Sequence, residues 1–312
     1  MKTAKLSTIW NKFLPLLALV GLIVVVTILN PSFMDPANIM NLLRQISING
    51  LIAFGMTFVI LTGGIDLSVG SILALTSALS AGMMVAGIDP ILAIIIGTIL
   101  GAVFGALNGV LIAKGKLAPF IVTLATMTIF RGLTLVYTGG KPITGLGDSY
   151  AFQLFGKGYF LGIPVPAVTM ILAFIVLWFM LHKMAFGRKT YALGGNEKAA
   201  LISGIKVDRV KVLIYSISGM MAGLAGMILT SRLNSAQPTA GQAYEMDAIA
   251  AVVIGGTSLA GGKGRIAGTF IGVLIIGILN NAMNLLGISS FYQQVVKGVV
   301  ILIAVLIDRK RS

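Results

Sequence analysis

ILAIIIGTILGAVFGALNGVLIAKGKLAPFIVTLATMTIFRGLTLVY, residues 91–137, decides the class of this chain. It holds two apolar runs, 91–113 and 118–137, divided by a turn carrying Lys114 and Lys116. At 1.5 Å per residue each run would span about 30 Å as a helix, the thickness of a bilayer's hydrocarbon core. Two helices and a basic turn between them read as a membrane hairpin whose turn faces the cytoplasm.

The same pattern fills the chain. Ten apolar spans are expected, near 13–29, 47–62, 69–86, 91–113, 118–137, 164–182, 212–230, 248–260, 266–287 and 292–307. Of the 312 residues 57% are hydrophobic and 10% charged, against roughly 25% charged in a soluble domain. Mean hydropathy is +1.00. The basic, then apolar, N-terminus looks like a signal peptide, but no A-x-A site follows its 17-residue run from Phe13 to Leu29. A retained first span is the expected outcome. The fold class is all-α integral membrane, with residues 1–312 as a single polytopic domain.

The positive-inside rule tests this count. With a cytoplasmic N-terminus, 17 basic residues fall inside: Lys2, Lys5, Lys12, Lys114, Lys116, Lys183, Arg188, Lys189, Lys198, Lys206, Arg209, Lys211, Lys263, Arg265, Arg309, Lys310 and Arg311. Four fall outside, Arg44, Lys141, Lys157 and Arg232, and Arg131 and Lys297 lie within spans. The net charge of +14 is therefore a topology signal. Nucleic acid is not an expected partner; the lipid bilayer is.

Several chemistries are excluded. There is no cysteine, and His182 is the single histidine, so thiolate and multi-histidine metal sites are absent. GGTSLAGGKGR lacks the P-loop pattern, because Thr257 stands six positions before Lys263 and Gly264 follows it. GLGD (145–148) matches a string of intramembrane aspartyl proteases, but Asp148 falls in an external loop without a facing acid. His182 has no nucleophile to serve. No enzyme is expected.

LTGGIDLSVGS (61–71) is more informative. A short second span stops at Gly63-Gly64, and Asp66 and Ser68 can cap the next helix. The eighth span is also short and ends in Gly255-Gly256. Such glycine-interrupted segments read either as broken helices lining a pathway or as tight, well-capped turns. Asp66 must face water, a partner or the protein interior, since an unpaired charge in lipid costs about 2.5–3.5 kcal/mol. Arg131 and Lys297 are expected to snorkel or pair structurally; for Arg131 the alternative is that it faces the pathway. No span interior offers an acid–base chain for ion coupling, so energy is expected to come from another subunit. Asn49, Thr57, Asn108, Thr123, Thr126, Asn280 and Asn284 are candidate groups for a hydroxylated, neutral cargo.

GTILGAVFGALNG (97–109) resembles GTFIGVLIIGILNN (268–281), a five-span offset that implies an inverted repeat. A rival match, GGIDLSVG (63–70) with GGTSLAGG (255–262), implies six, and both stay open. The external 138–163 stretch is broken by Gly and Pro, with AFQLF as a short amphipathic piece.

The longest polar stretch, GRKTYALGGNEKAALISGIKVDRVK (187–211), sits inside the cytoplasmic loop 183–211. Asn196 is a natural N-cap, Glu197 suits a helix N-terminus, and Gly204 ends the turn or two of KAALIS. The helix would display Ala199, Ala200 and Ile202 or Leu201 for docking, or rest on headgroups.

E-x-A-A-x-x-x-G at Glu197–Gly204 resembles the cytoplasmic coupling loop of ABC importer permeases. LTGGIDLSVGS, ALNG (106–109), PFIVTLATMTIFRG (119–132), YTGGKPI (137–143), GGTSLAGGKG and FYQQVVKGVVILIAV (291–305) are similar to the monosaccharide, ribose-type branch of that family. The resemblance runs from about residue 40 to the end. It implies a permease of the bacterial inner membrane with both termini cytoplasmic, paired as a homodimer. It implies cytoplasmic ATPase subunits that bind ATP and Mg, and a periplasmic or lipid-anchored sugar-binding protein outside. It also implies a coupling role for Asn196, Glu197, Ala199, Ala200 and Gly204. Gly63, Gly64, Asp66, Ser68, Asn49, Asn108, Arg131, Gly255, Gly256 and Asn280 are the pathway or gate candidates. No cofactor is expected in this chain. The alternative is a stand-alone facilitator or ion-coupled secondary carrier.

Overall fold

The computed structural model describes residues 2–309, with side chains described over 15–306. The side chains of Lys2, Lys5, Lys12, Arg309, Lys310 and Arg311, counted in the charge partition, lie outside the described residues.

The helices, in order, are α1 (Lys2–Leu29), α2 (Pro36–Leu61), α3 (Val69–Val85), α4 (Pro90–Ala113), α5 (Pro119–Thr138), α6 (Tyr150–Lys157) and α7 (Val165–His182). They continue with α8 (Ala185–Gly195), α9 (Glu197–Ile202), α10 (Val207–Leu233), α11 (Tyr244–Ile254), α12 (Ile266–Leu285) and α13 (Ser290–Arg309). A two-residue hairpin, β1 (Tyr159–Phe160) with β2 (Ile163–Pro164), follows α6. Pro36, Pro90 and Pro119 open α2, α4 and α5, where a missing amide proton leaves no bond unmade. Asp89 caps α4 by accepting from the N–H groups of Ile91 and Leu92 at 2.9 and 3.1 Å.

Among the described residues six helices are long and apolar enough to cross a membrane: α2, α4, α5, α7, α10 and α12. α1, α3 and α13 add shorter apolar stretches. Each expected span falls on a helix, but two bounds change. The second begins at Pro36 rather than 47, carrying the polar Asn38, Asn41 and Arg44 on its first turns. The eighth runs over Tyr244–Ile254 rather than 248–260. Its 11 residues reach only about 16 Å, so α11 spans half a bilayer at most.

Burial is inverted relative to a soluble protein. α4 turns Ile91, Ile95, Ile99 and Val103 outward, whereas Ser47, Thr57, Asp66, Asn108 and Ser218 are buried. In hydrocarbon that arrangement is the stable one, because polar groups must find partners inside. At the centre stands α2, buried on every side from Ile46 to Leu61.

Glycines set the helix spacing. Gly97, Gly101, Gly105 and Gly109 form one stripe on α4, and it meets Gly219 and Gly223 on α10 backbone to backbone. A Cβ at Gly101 would collide with the Gly219 carbonyl, and one at Gly105 with the Tyr215 carbonyl.

Two segments leave the helical ladder inside the bundle. Residues 62–68 turn back between α2 and α3, and 234–243 turn in between α10 and α11. They meet where Gly70 and Gly241 touch backbone to backbone, so that a Cβ on either would strike the other's carbonyl. Packing is mirrored around this point. α3 lies on α4 and α5 while α11 lies on α12 and α13, and α2 contacts α11 as α10 contacts α3.

The bundle has two distinguishable ends. At one, the Gly262 N–H donates to the Leu61 carbonyl at 2.9 Å and the Tyr191 hydroxyl donates to the Gly264 carbonyl at 2.8 Å. At the other, Ile143 pairs with Ala236 and Arg44 donates to the Lys157 carbonyl.

Gly105→Leu is expected to force α4 from α10 and cost at least about 1–3 kcal/mol, read as a fall in detergent Tm. Gly132→Leu on α5, where a Cβ meets nothing within 4 Å, is expected to leave Tm unchanged.

Candidate functional site

Two places concentrate the candidate residues: a small helix at the basic end, and a polar centre where the helices break.

α9 is built as its sequence dictates. Asn196 Oδ1 accepts from the Ala199 N–H at 3.0 Å, which caps the first turn. Gly204 takes φ +79, and the Ile205→Ala200 and Gly204→Leu201 backbone bonds (3.1 and 3.0 Å) close a Schellman stop. Glu197 Oε1 accepts from Lys211 Nζ at 2.7 Å, tying α9 to the first turns of α10. α8 supports it from below. Gly194 packs so closely on the Leu61 carbonyl that no side chain fits there. α8 is an element the sequence did not suggest, its mixed AFGRKTYALGG run being neither apolar nor periodic enough.

The exposed apolar residues of α9 are Leu201 and Ile202, at 63% and 86% exposure. Ala200 is buried against the bundle instead, so it anchors the helix rather than displaying it. Beside Leu201 stand Lys114, Lys206 and Arg209, with Asp208 among them. In the same end, burial raises the Tyr191 hydroxyl pKa above its usual value, with Arg265 opposing. A knob with two exposed aliphatics beside a mostly basic rim can dock a partner offering an apolar groove edged with acids.

Asp66 lies at the first break and is fully buried. Its Oδ1 accepts from the Ser68 N–H (3.0 Å) and hydroxyl (2.6 Å), and its Oδ2 from the Ser218 hydroxyl of α10 (2.8 Å). Asn108 of α4 donates to the Ser68 hydroxyl at 2.8 Å, and Thr123 of α5 to the Ile65 carbonyl at 3.2 Å. Ser68 is the N-terminal cap position of α3 but makes no side-chain cap bond; its hydroxyl serves Asp66. Asp66, Ser68 and Asn108, with Ser218, thus tie the first break to α4 and α10, and the Asn108 Oδ1 is left buried without a partner.

The second break holds a matching group. Asp247 of α11, 3% exposed, pairs with Lys297 of α13 at 2.9 Å and accepts from Asn280 of α12 at 3.3 Å. The expectation that no span interior offers an acid–base chain did not foresee this group, in which an acid, a base and an amide meet inside the bundle. Of the two outcomes expected for Lys297, snorkelling or a structural pair, the structure has the pair. Arg131 likewise bonds inward. Its guanidinium donates to the Pro238 carbonyl of the second break at 2.6 Å and to the Gly70 carbonyl in the first turn of α3 at 3.4 Å. Glu245 is buried to 9% exposure beside it.

Glu245, Asp247, Gln242 and Ser218 are the residues the sequence reading missed. Placing the span at 248 left the acids outside. The available signal was two acids at the start of an apolar run, the composition of a helix's first turn.

The other candidates disperse. Asn49 is buried in α2, and Thr57 shares a 2.9 Å bond with Thr269. Thr126 bonds back to α5's own carbonyls, and Asn284 is exposed and accepts from Gln293. Gly63 belongs to the basic-end turn, and Gly64 packs against the Tyr215 hydroxyl. Gly255 lies against Gly268, and Gly256 turns the chain at φ +88.

A broken-helix bundle with paired charges inside and apolar side chains outside fits a membrane transporter. The chain belongs to the family described as "Branched-chain amino acid transport system / permease component", which it matches over residues 38–305. It is a multi-pass permease component, not an enzyme. It is 73% identical to the ribose import permease protein RbsC of Bacillus subtilis, over the full length of both chains. It is 56% identical to RbsC of Haemophilus influenzae, covering 94% of this chain and 91% of that one. For RbsC of Escherichia coli K12 the identity is 53%, over 95% and 93%. No solved structure matches.

Lys297→Met strands the Asp247 charge and is expected to cost about 3–5 kcal/mol. The readout is a lower Tm and lower recovery of the solubilised protein. Lys297→Met with Asp247→Leu together is expected to recover most of the loss; no recovery would show that the ion pair is not the cause.

Proposed function

We propose that this chain is the membrane subunit of an ATP-driven importer, passing a neutral monosaccharide, ribose, across the bacterial inner membrane. The observation that carries the reading is α9: a capped, braced helix whose Leu201 and Ile202 face outward, the first beside Lys114, Lys206 and Arg209. Burying two such side chains in a partner groove would contribute about 1.5–3 kcal/mol each. The partner that fits is a cytoplasmic ATPase, which binds ATP and Mg; this chain needs no cofactor of its own. A sugar-binding protein delivers cargo at the opposite end, and two permease copies pair around the path.

In this reading the chain is a single polytopic domain over 1–312, with ten membrane segments and both termini cytoplasmic. α11 is a half-span completed by the re-entrant segment before it, and α3, with 17 residues or about 26 Å, is close to a full span. The mirrored packing of α2–α5 and α10–α13 supports an inverted repeat at the five-span offset. It also aligns Asn108 with Asn280, each donating to the polar group at its own break.

Closure of the ATPases on ATP moves α9. Its bond from Glu197 to Lys211 passes the displacement into α10, which packs on α2, α3 and α4. The two breaks then tilt and access switches sides. The rival reading, a stand-alone or ion-coupled carrier, needs either intramembrane titratable groups for coupling or transport independent of ATP. Asp247 is committed to Lys297 and Asn280, and Asp66 to two serines, which favours a structural role for both.

Glu197→Lys and Gly204→Leu are expected to leave the protein inserted but to lower ribose uptake at least about tenfold while ATP hydrolysis persists. Uptake by reconstituted complexes and phosphate release measure this. Normal coupling in both variants would remove α9 from the mechanism. Leu201→Asp with Ile202→Asp is expected to abolish co-purification of the ATPase.

A further inference from the structure

A cavity of about 410 Å³ lies where the two re-entrant segments meet, bounded by Ser71, Thr128, Arg131, Gly132, Gln242 and Glu245. We propose that it is a sugar-binding station on the translocation path, its open side closed by a second copy of the chain. This placement rests on the functional reading above.

Depth is the first argument. α11 begins about 16 Å from its basic-end terminus, which puts Glu245 well inside the bilayer. Arg131 is the thirteenth of the twenty residues of α5. Thr128 and Gln242 are exposed on the outer surface of the single copy. Glu245 and Ser71 are buried behind the surface, but Arg131, Thr128 and Gln242 reach it, where a charge facing hydrocarbon would cost about 2.5–3.5 kcal/mol. They must instead face water, a polar cargo and protein.

Chemistry is the second. Among the described residues the ion pairs are Lys211–Glu197 and Lys297–Asp247. Arg131 and Glu245 line one cavity yet form no pair within 4.0 Å of each other. The guanidinium is held in place by the Pro238 and Gly70 carbonyls, and the carboxylate by the first turn of α11. A fixed donor and a fixed acceptor of opposite charge across a gap suit a neutral polyhydroxylated molecule, which can bridge them through its hydroxyls. Ser71, Thr128 and Gln242 add neutral donors and acceptors. The cavity volume falls within the ~300–1,000 Å³ of small-molecule sites. The carboxylates of Asp66 and Asp247, by contrast, already hold their partners, two serines for the one and Lys297 with Asn280 for the other.

Position is the third. Ser71 is on α3 and Glu245 on α11, on either side of the Gly70–Gly241 contact. Any movement of one break against the other changes the shape of the cavity, as a station that must bind and then release requires.

The test uses the complex of this chain with its ATPase and sugar-binding protein in proteoliposomes, with radiolabelled ribose as probe. Gly132→Phe fills the cavity from a position where a Cβ touches nothing. It is expected to lower uptake at least about tenfold with Tm unchanged and ATP hydrolysis retained. Gly298→Phe on α13, equally free of neighbours but away from the cavity, is expected to behave as wild type. Gln242→Ala and Glu245→Gln are expected to lower uptake without loss of protein. Wild-type uptake in Gly132→Phe, or an equal loss in Gly298→Phe, overturns the placement. Should Gly132→Phe fail to assemble, wild-type rates in Gln242→Ala and Glu245→Gln overturn it. Absence of ATP-dependent ribose uptake by the unmodified complex would instead sink the functional reading.

Discussion

A backbone amide or carbonyl left without a partner in hydrocarbon costs several kcal/mol, and this bundle breaks two helices inside the membrane. How those freed groups are satisfied governs the rest of the structure. Asp66 takes the Ser68 amide, Thr123 gives to the Ile65 carbonyl, and Arg131 gives to the Pro238 carbonyl. Every one of these bonds reaches across to another element or spans the break. The breaks are therefore tied to α4, α5 and α10 by specific directional contacts, whereas the glycine stripe between α4 and α10 holds a rigid frame around them.

The division of labour follows. α2, α4 and α10 are packed backbone to backbone or buried on all sides, and such elements shift only as units. α3 carries no charge and α11 carries Glu245 and Asp247, while Asp66 stands in the first break, Arg131 on α5 and Lys297 on α13. The Glu197–Lys211 pair is a side-chain link from α9 into α10, the helix of the frame that packs on α2, α3 and α4. Buried pairs such as Asp247–Lys297 are costly to open, so they fix the register of the moving parts without adding much net stability.

Much of this was legible in the sequence, for physical reasons. Spans of 20 residues and the one-sided basic charge follow from bilayer thickness and insertion energetics, and they located each long helix. The α9 cap and stop depend on local chemistry, Asn196 and Gly204, and appeared where expected. What the sequence hid was tertiary. Glu245 and Asp247 look like loop acids until Lys297, fifty residues on, is seen to neutralise one of them. Whether Arg131 snorkels or bonds inward is decided only when the Pro238 carbonyl is placed beside it. Ala200 looks displayed until the bundle is folded beneath it. α8 has no signal of its own, and is helical because Leu193 and Thr190 find a surface to bury against.

The account's central claim is that this bundle does no work unaided. Its most direct test is ribose accumulation in proteoliposomes holding this chain alone, compared with vesicles that also hold its ATPase, ATP and the sugar-binding protein. Accumulation above the external concentration is predicted only in the second set. Concentrative uptake by the chain alone, with or without an imposed ion gradient, would contradict it.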